Sequence, residues 1–135
     1  MKERAKPETL RLRSLSPSLT VDDVQASLAF YRDVLGFTVK ETFEDEGRLA
    51  GAILEAGSVE LFLTQDDFAQ GRDRSKGVGL RLWCGTAQDL DELAADVQAR
   101  GGTLAEPLQE RPWGARDFAV VDPDGFKLSF TTIRE

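Results

Sequence analysis

Histidine is missing from all 135 residues of this chain. Its absence excludes a Ser-His-Asp triad, a Cys-His pair and any metal centre ligated by imidazole. Catalysis, if there is any, is left to carboxylates, lysines, arginines, Tyr31, Cys84 or a bound cofactor. Cys84 is the single cysteine, so an internal disulfide is impossible. It lies in an apolar run and reads as a buried structural thiol. No apolar run approaches the roughly 20 residues that a membrane-spanning helix needs, and the N-terminal segment lacks the apolar centre of a signal peptide. No membrane partner is expected, and the cytoplasm is the expected location. A basic excess is also missing: 17 Lys and Arg stand against 24 Asp and Glu, for a net charge of −7. That argues against nucleic acid, whose phosphates call for a basic patch. The acidic balance serves solubility and is compatible with a cationic ligand.

What is present is a globular composition, 41% apolar and 30% charged, in a chain long enough for one domain with a proper core. Residues 1–12 read as a mobile arm, and residues 13–135 as a single domain. From Leu15 the pattern alternates, with Leu15, Pro17, Leu19 and Val21 on one face and Ser16, Ser18 and Thr20 on the other. This predicts a half-buried strand in which Pro17 marks an edge or an irregular start. Asp22 is the expected cap of a helix, with Gln25 at the capping-box spacing. Val24, Leu28, Tyr31 and Leu35 follow at helical spacing, and Gly36 supplies the stop. Extended runs at about residues 38–43, 49–55 and 59–65 complete a β-α-β-β-β order.

After a polar linker, residues 66–76, the order recurs. A strand is expected over residues 78–84 and a helix capped by Thr86 with Leu90, Leu93, Ala94 and Val97 inward. Gly101 stands where Gly36 stood, and strands are expected at about residues 103–108, 116–121 and 126–133. A repeated order of elements is stronger evidence than any one of them. The expected fold is α+β, with tandem βαβββ repeats, at about residues 13–65 and 77–133, forming a curved eight-stranded mixed sheet. The helices cover its outer face, and the concave side is the default ligand cavity.

Two segments carry a family resemblance. SLAFYRDVLGF, residues 27–37, and RPWGARDFAVVDPDGFKLSF, residues 111–130, resemble the first helix and the closing hairpin of the vicinal oxygen chelate superfamily. That group takes in glyoxalases, fosfomycin-resistance transferases, extradiol dioxygenases and bleomycin-binding proteins. The resemblance covers about residues 15–133 and implies four positions that supply metal ligands in metal-using members. They fall at Ser16, Glu60, about Gly79 and Ser129, and only Glu60 has a side chain of the expected kind. One carboxylate and two hydroxyls give weak, poorly oriented ligation. The expectation is therefore no metal and no cofactor, as in bleomycin-resistance-type members. The resemblance also implies a homodimer, with a physical motive in unpaired strand edges and wet apolar rims.

Strand parity then selects the site. Glu60 and Phe62 alternate with Val59, Leu61 and Leu63, and the resemblance implies that their face is the cavity. Glu60 could hold a ligand amine, act as a general base, or be a salt-bridged strand residue. Arg81 and Trp83 alternate with Leu80, Leu82 and Cys84, and suit a planar or anionic ligand group; the alternative is an internal ion pair of Arg81 with Glu60. Trp113 is expected at the rim, with Arg116 and Phe118 beside it. Asp122, Pro123, Asp124 and Gly125 read as a turn, and Tyr31 as core. The expected function is metal-free binding of a small aromatic or cationic molecule by Glu60, Phe62, Arg81, Trp83, Trp113 and Phe118. The alternatives are a lyase- or dioxygenase-type enzyme with a diverged, carboxylate-based site around Glu60, and a structural or regulatory module whose cup is filled by its own side chains.

Overall fold

Asp23 starts the first helix. Its backbone is extended and its carboxylate accepts the N–H groups of Gln25 and Ala26, two of the donors that a helix start leaves unpaired. The cap is thus one residue beyond the expected Asp22, whose own N–H donates to Asp124 instead. The helix, α1 (Val24–Ala29), widens into a π-helical segment over Phe30–Leu35. There the Tyr31 carbonyl accepts from both Gly36 and Phe37. Gly36 ends it at φ 95°, and Gly101 has the same φ in the second repeat. Helix α2 (Leu90–Ala99) is capped by Asp89, which accepts from Asp91 and Glu92. The expected cap, Thr86, ends the preceding strand, and its hydroxyl accepts from the Gln88 N–H rather than from the helix.

The computed structural model describes residues 9–133, and most of the expected N-terminal arm, residues 1–8, lies outside them. The strands are β1 (Ser18–Val21), β2 (Thr38–Asp45), β3 (Arg48–Ala56), β4 (Val59–Gln65), β5 (Arg81–Thr86), β6 (Glu106–Glu110), β7 (Arg116–Val121) and β8 (Lys127–Thr132). The tandem α+β architecture expected from the sequence is present. Its eight strands are hydrogen-bonded as two mixed four-stranded sheets, ordered β1-β4-β3-β2 and β5-β8-β7-β6, rather than as one continuous sheet. In each, the first strand of the repeat lies parallel to the last, at the edge. Pro17 sits just outside β1, where its carbonyl accepts from Phe62 and its missing N–H costs no ladder bond. β5 begins three residues later than expected because Gly77 and Gly79, at φ 74° and 75°, cannot continue a strand.

One face of each sheet is apolar and covered by helix. Leu19, Val21, Leu54, Leu61 and Leu63 of the first sheet and Phe118, Val120 and Leu128 of the second join one core with Val24, Tyr31, Leu90 and Val97. Helix α2 packs on β6, β7, β8 and on the π-helical segment, so the repeats meet through their helices. The turn at Asp122 bolts them together. Asp122 accepts the N–H groups of Asp124 and Phe126 and, at 2.7 Å, the Tyr31 hydroxyl. Burial raises the pKa of both Tyr31 and Asp122. Asp124 accepts from the Asp22 N–H and the Ser27 hydroxyl. The linker is tied by Lys76, which pairs with Asp66 at 2.8 Å and with Asp22. Gly77 is required there, since a Cβ would fall 2.3 Å from the Gly125 carbonyl oxygen. Cys84 packs against the core, and burial pushes its thiol up to about 11, as suits a packing residue.

Candidate functional site

Because the helix-covered faces share one core, the opposite faces point outward, one from each sheet. The second of these is the richer. Leu82 and Cys84 of β5 turn to the core, which leaves Arg81 and Trp83 on the open face. The register across the sheet runs Trp83, Ser129, Ala119, Glu106. The two residues in the middle are small, and the Arg81 guanidinium reaches over them. Arg81 donates to the Ser129 hydroxyl at 3.1 Å and to the Glu106 carboxylate at 2.9 Å. Glu106 also accepts from Lys127 at 2.8 Å and from Arg111 at 3.0 Å. Arg111 spans from there to Asp117, 2.9 Å away and 1% exposed. The Lys127 and Arg81 donors hold the Glu106 carboxyl down at about 2. Hydrogen bonding to Asp117 raises the Arg111 pKa.

Both tryptophans flank this network. The Trp83 ring centre is 5.3 Å from the Arg81 guanidinium and the Trp113 ring centre 5.8 Å from that of Arg111. They are 55% and 66% exposed. Side chains of this size offer a ligand a large apolar surface to cover.

The first open face is built differently. Glu60 and Phe62 of β4 lie in register with Glu55 and Ile53 of β3, and Ile53 with Glu41 of β2. Lys40, beside a bulge in β2, donates to Glu60 at 2.5 Å, and that bond raises its pKa, with Glu55 and Glu41 adding smaller pushes. A half-open pocket of about 320 Å³ lies at one end, lined by Arg13, Ser16, Glu55, Ser58 and Glu60 among others.

The structure therefore groups the expected residues in two pairs. Glu60 and Phe62 share the first face, Arg81 and Trp83 the second, and no described hydrogen bond or ion pair links the faces within one chain. The alternative Arg81–Glu60 ion pair is not formed; their partners are Glu106 and Lys40. Trp113 is at the margin of the second face. Phe118 is fully buried and stacked on Phe130 at 5.2 Å, so it faces the core, away from any ligand on the open side. Arg116 pairs with Asp91 of α2. Glu106, Arg111, Asp117 and Lys127 were not expected. The parity of Phe118 and Val120 points to Asp117, but Pro107 breaks the β6 ladder, and its register shift hides Glu106.

These residues do not fit a metal ion. Ser16 and Glu60 lie by the first-face pocket, Gly79 is in the turn before β5, and Ser129 is held by the Arg81 guanidinium, a neighbour that repels cations. Among the described residues no three or more Cys, Asp or Glu side chains gather as a metal site.

The sequence profile of the Glyoxalase/Bleomycin resistance protein/Dioxygenase superfamily matches residues 13–130. The chain belongs to this superfamily. It is 32% identical over 128 residues to the bleomycin resistance protein of Geobacillus stearothermophilus, covering 84% of this chain and 92% of that one, and equally similar to that of Staphylococcus aureus. Among solved structures it resembles TioX from Micromonospora sp. ML1, with TM-score 0.72 and 23% identity over 87% of this chain and 96% of that one. It also resembles a glyoxalase-related enzyme from Fulvimarina pelagi, with TM-score 0.69 and 20% identity over 90% and 89% of the two chains. Both likenesses fall in the superfamily's fold. No helix in the described residues is long and apolar enough to cross a membrane.

Proposed function

We propose that this superfamily member is a cytoplasmic binding protein that takes up a small aromatic molecule bearing a cationic group, without a metal and without turnover. The observation that carries the reading is the open second face, where Trp83 stands uncovered beside an Arg81 side chain that occupies Ser129. Glu60 supplies the charge partner for a ligand amine on the first face. Its engagement by Lys40 favours charge recognition over proton abstraction. One chain does not join these faces, so the ligand cup is completed by a second copy, the first face of one protomer opposing the second face of its partner.

Bleomycin, the ligand named by the curated relatives, is the first compound to test. Titration should quench tryptophan fluorescence, and Trp83→Ala should weaken binding by about 1–3 kcal/mol through lost stacking and area. Glu60→Gln should weaken it in a salt-sensitive way. Light scattering should give twice the mass of one chain, and elemental analysis no stoichiometric transition metal. Unchanged fluorescence at millimolar bleomycin, or a strictly monomeric protein that still binds it, would overturn the corresponding part of the reading.

A further inference from the structure

We infer that the second open face recognises an oxyanion carried on a planar ring: the carboxylate, sulfonate or phosphate of an arene lies against Lys127 and Arg81 while the ring covers Trp83. This rests on the binding reading above and adds the polarity of one half of the ligand. The face carries three cations, Arg81, Arg111 and Lys127, against two carboxylates, Glu106 and Asp117. It is thus net positive in a chain of net charge −7. Asp117 is buried and held by Arg111, and Glu106 is shared among all three cations, so neither carboxylate is left to attract a ligand cation.

The cations are also held in place before any ligand arrives. Arg81 and Lys127 are 31% and 33% exposed and are fixed from below by Glu106, so they do not lose much rotamer freedom on binding. The Lys127 ammonium has three donors and makes one ion pair, to Glu106. A network built only to stitch the strands together would need matching charges. It would have no use for Trp83, 55% exposed, with its ring beside the guanidinium that an incoming anion would meet. A guanidinium beside an exposed indole, with an ammonium in register with it on the next strand, suits a flat ring with an oxyanion at its edge.

Three probes sharing one ring separate charge from stacking on the second face: 2-naphthoate, 2-naphthalenemethanol and 2-naphthylmethylammonium, titrated calorimetrically into the full chain carrying Glu60→Gln, which removes the first face's attraction for an amine. Naphthoate should bind about tenfold or more tighter than the ammonium, with the alcohol between them, the scale of one charge-assisted contact. Lys127→Gln should reduce naphthoate affinity about tenfold and leave the alcohol within about twofold. Glu106→Gln, which makes the face more positive, should move naphthoate in the opposite direction, its folding verified by a cooperative thermal transition. Equal affinities for the three, or tightest binding of the ammonium, would overturn the inference. If the alcohol still binds and Trp83→Ala abolishes that binding, the binding face stands and only its anion preference falls. If none of the three binds, the inference falls as well, and the bleomycin titration decides the broader reading separately.

Discussion

The two repeats share a topology and a stop glycine at the same φ of 95°, yet their open faces carry opposite charge. The first sets Lys40 against Glu41, Glu55 and Glu60 around Phe62. The second sets Arg81, Arg111 and Lys127 against Glu106 and Asp117 between two tryptophans. Alternation in a strand explains how this can happen. The helix-covered positions must stay apolar to build the common core, whereas the open positions can be polar and are free to diverge in charge. Recognition chemistry therefore sits on the half of each strand that the core does not constrain.

The sharpest way to break that comparison is to truncate one aromatic from each side of a sheet. Phe118→Ala should cost about 3–5 kcal/mol in chemical denaturation, because the ring is fully buried. Phe62→Ala, on an open face, should cost less than half as much; equal losses would mean that the two faces are not distinct. Arg111→Ala comes next, with a clear loss of stability, since it strands the buried Asp117 carboxylate. Adding Asp117→Asn should recover part of that loss, which a double-mutant cycle measures. Tyr31→Phe removes the hydroxyl that joins the repeats at Asp122 and should cost about 1–2 kcal/mol.

The second face should also give the protein an acid limit. The Glu106 carboxyl titrates at about 2 in the folded chain, below its ordinary 4.5. Its stabilisation is full above the ordinary value and is lost as pH falls from there towards 2. After allowance for partial exposure the effect is about 1 kcal/mol, and denaturation midpoints of Glu106→Gln should lack this component of the pH dependence. The smallest effect is expected on the first face. Lys40 is 50% exposed, so Lys40→Ala should leave the denaturation midpoint nearly unchanged. A larger loss would show that the first face is covered in solution.

Much of the fold was legible because each signal is local. The helix spacing of Val24, Leu28, Tyr31 and Leu35, the glycine stops and the strand alternation each depend on near neighbours, and β4 and β7 fall on the expected residues. The misjudged starts have local causes too: Asp23 and Asp89, one and three residues beyond the expected caps, had the extended backbone that a cap needs. Parity likewise placed Glu60, Phe62, Arg81 and Trp83 on open faces. Phe118 departs from the expected site, because its alternation with Asp117 and Ala119 sends it to the core.

By itself the sequence determined the repeat, the absence of imidazole chemistry and which side chains on each strand avoid the core, since these follow from composition and a period of two. Only the tertiary structure decided which charges meet. The partners of Arg81 come from β6 and β8, 25 and 48 positions along the chain, and that of Glu60 from β2. Pairing over such distances depends on strand register, here shifted between Glu106 and Gln109, and register across strands is set by tertiary packing. The separation of the two open faces has the same origin: both repeats bury their helix-covered sides in one core, and that shared burial turns the opposite sides outward.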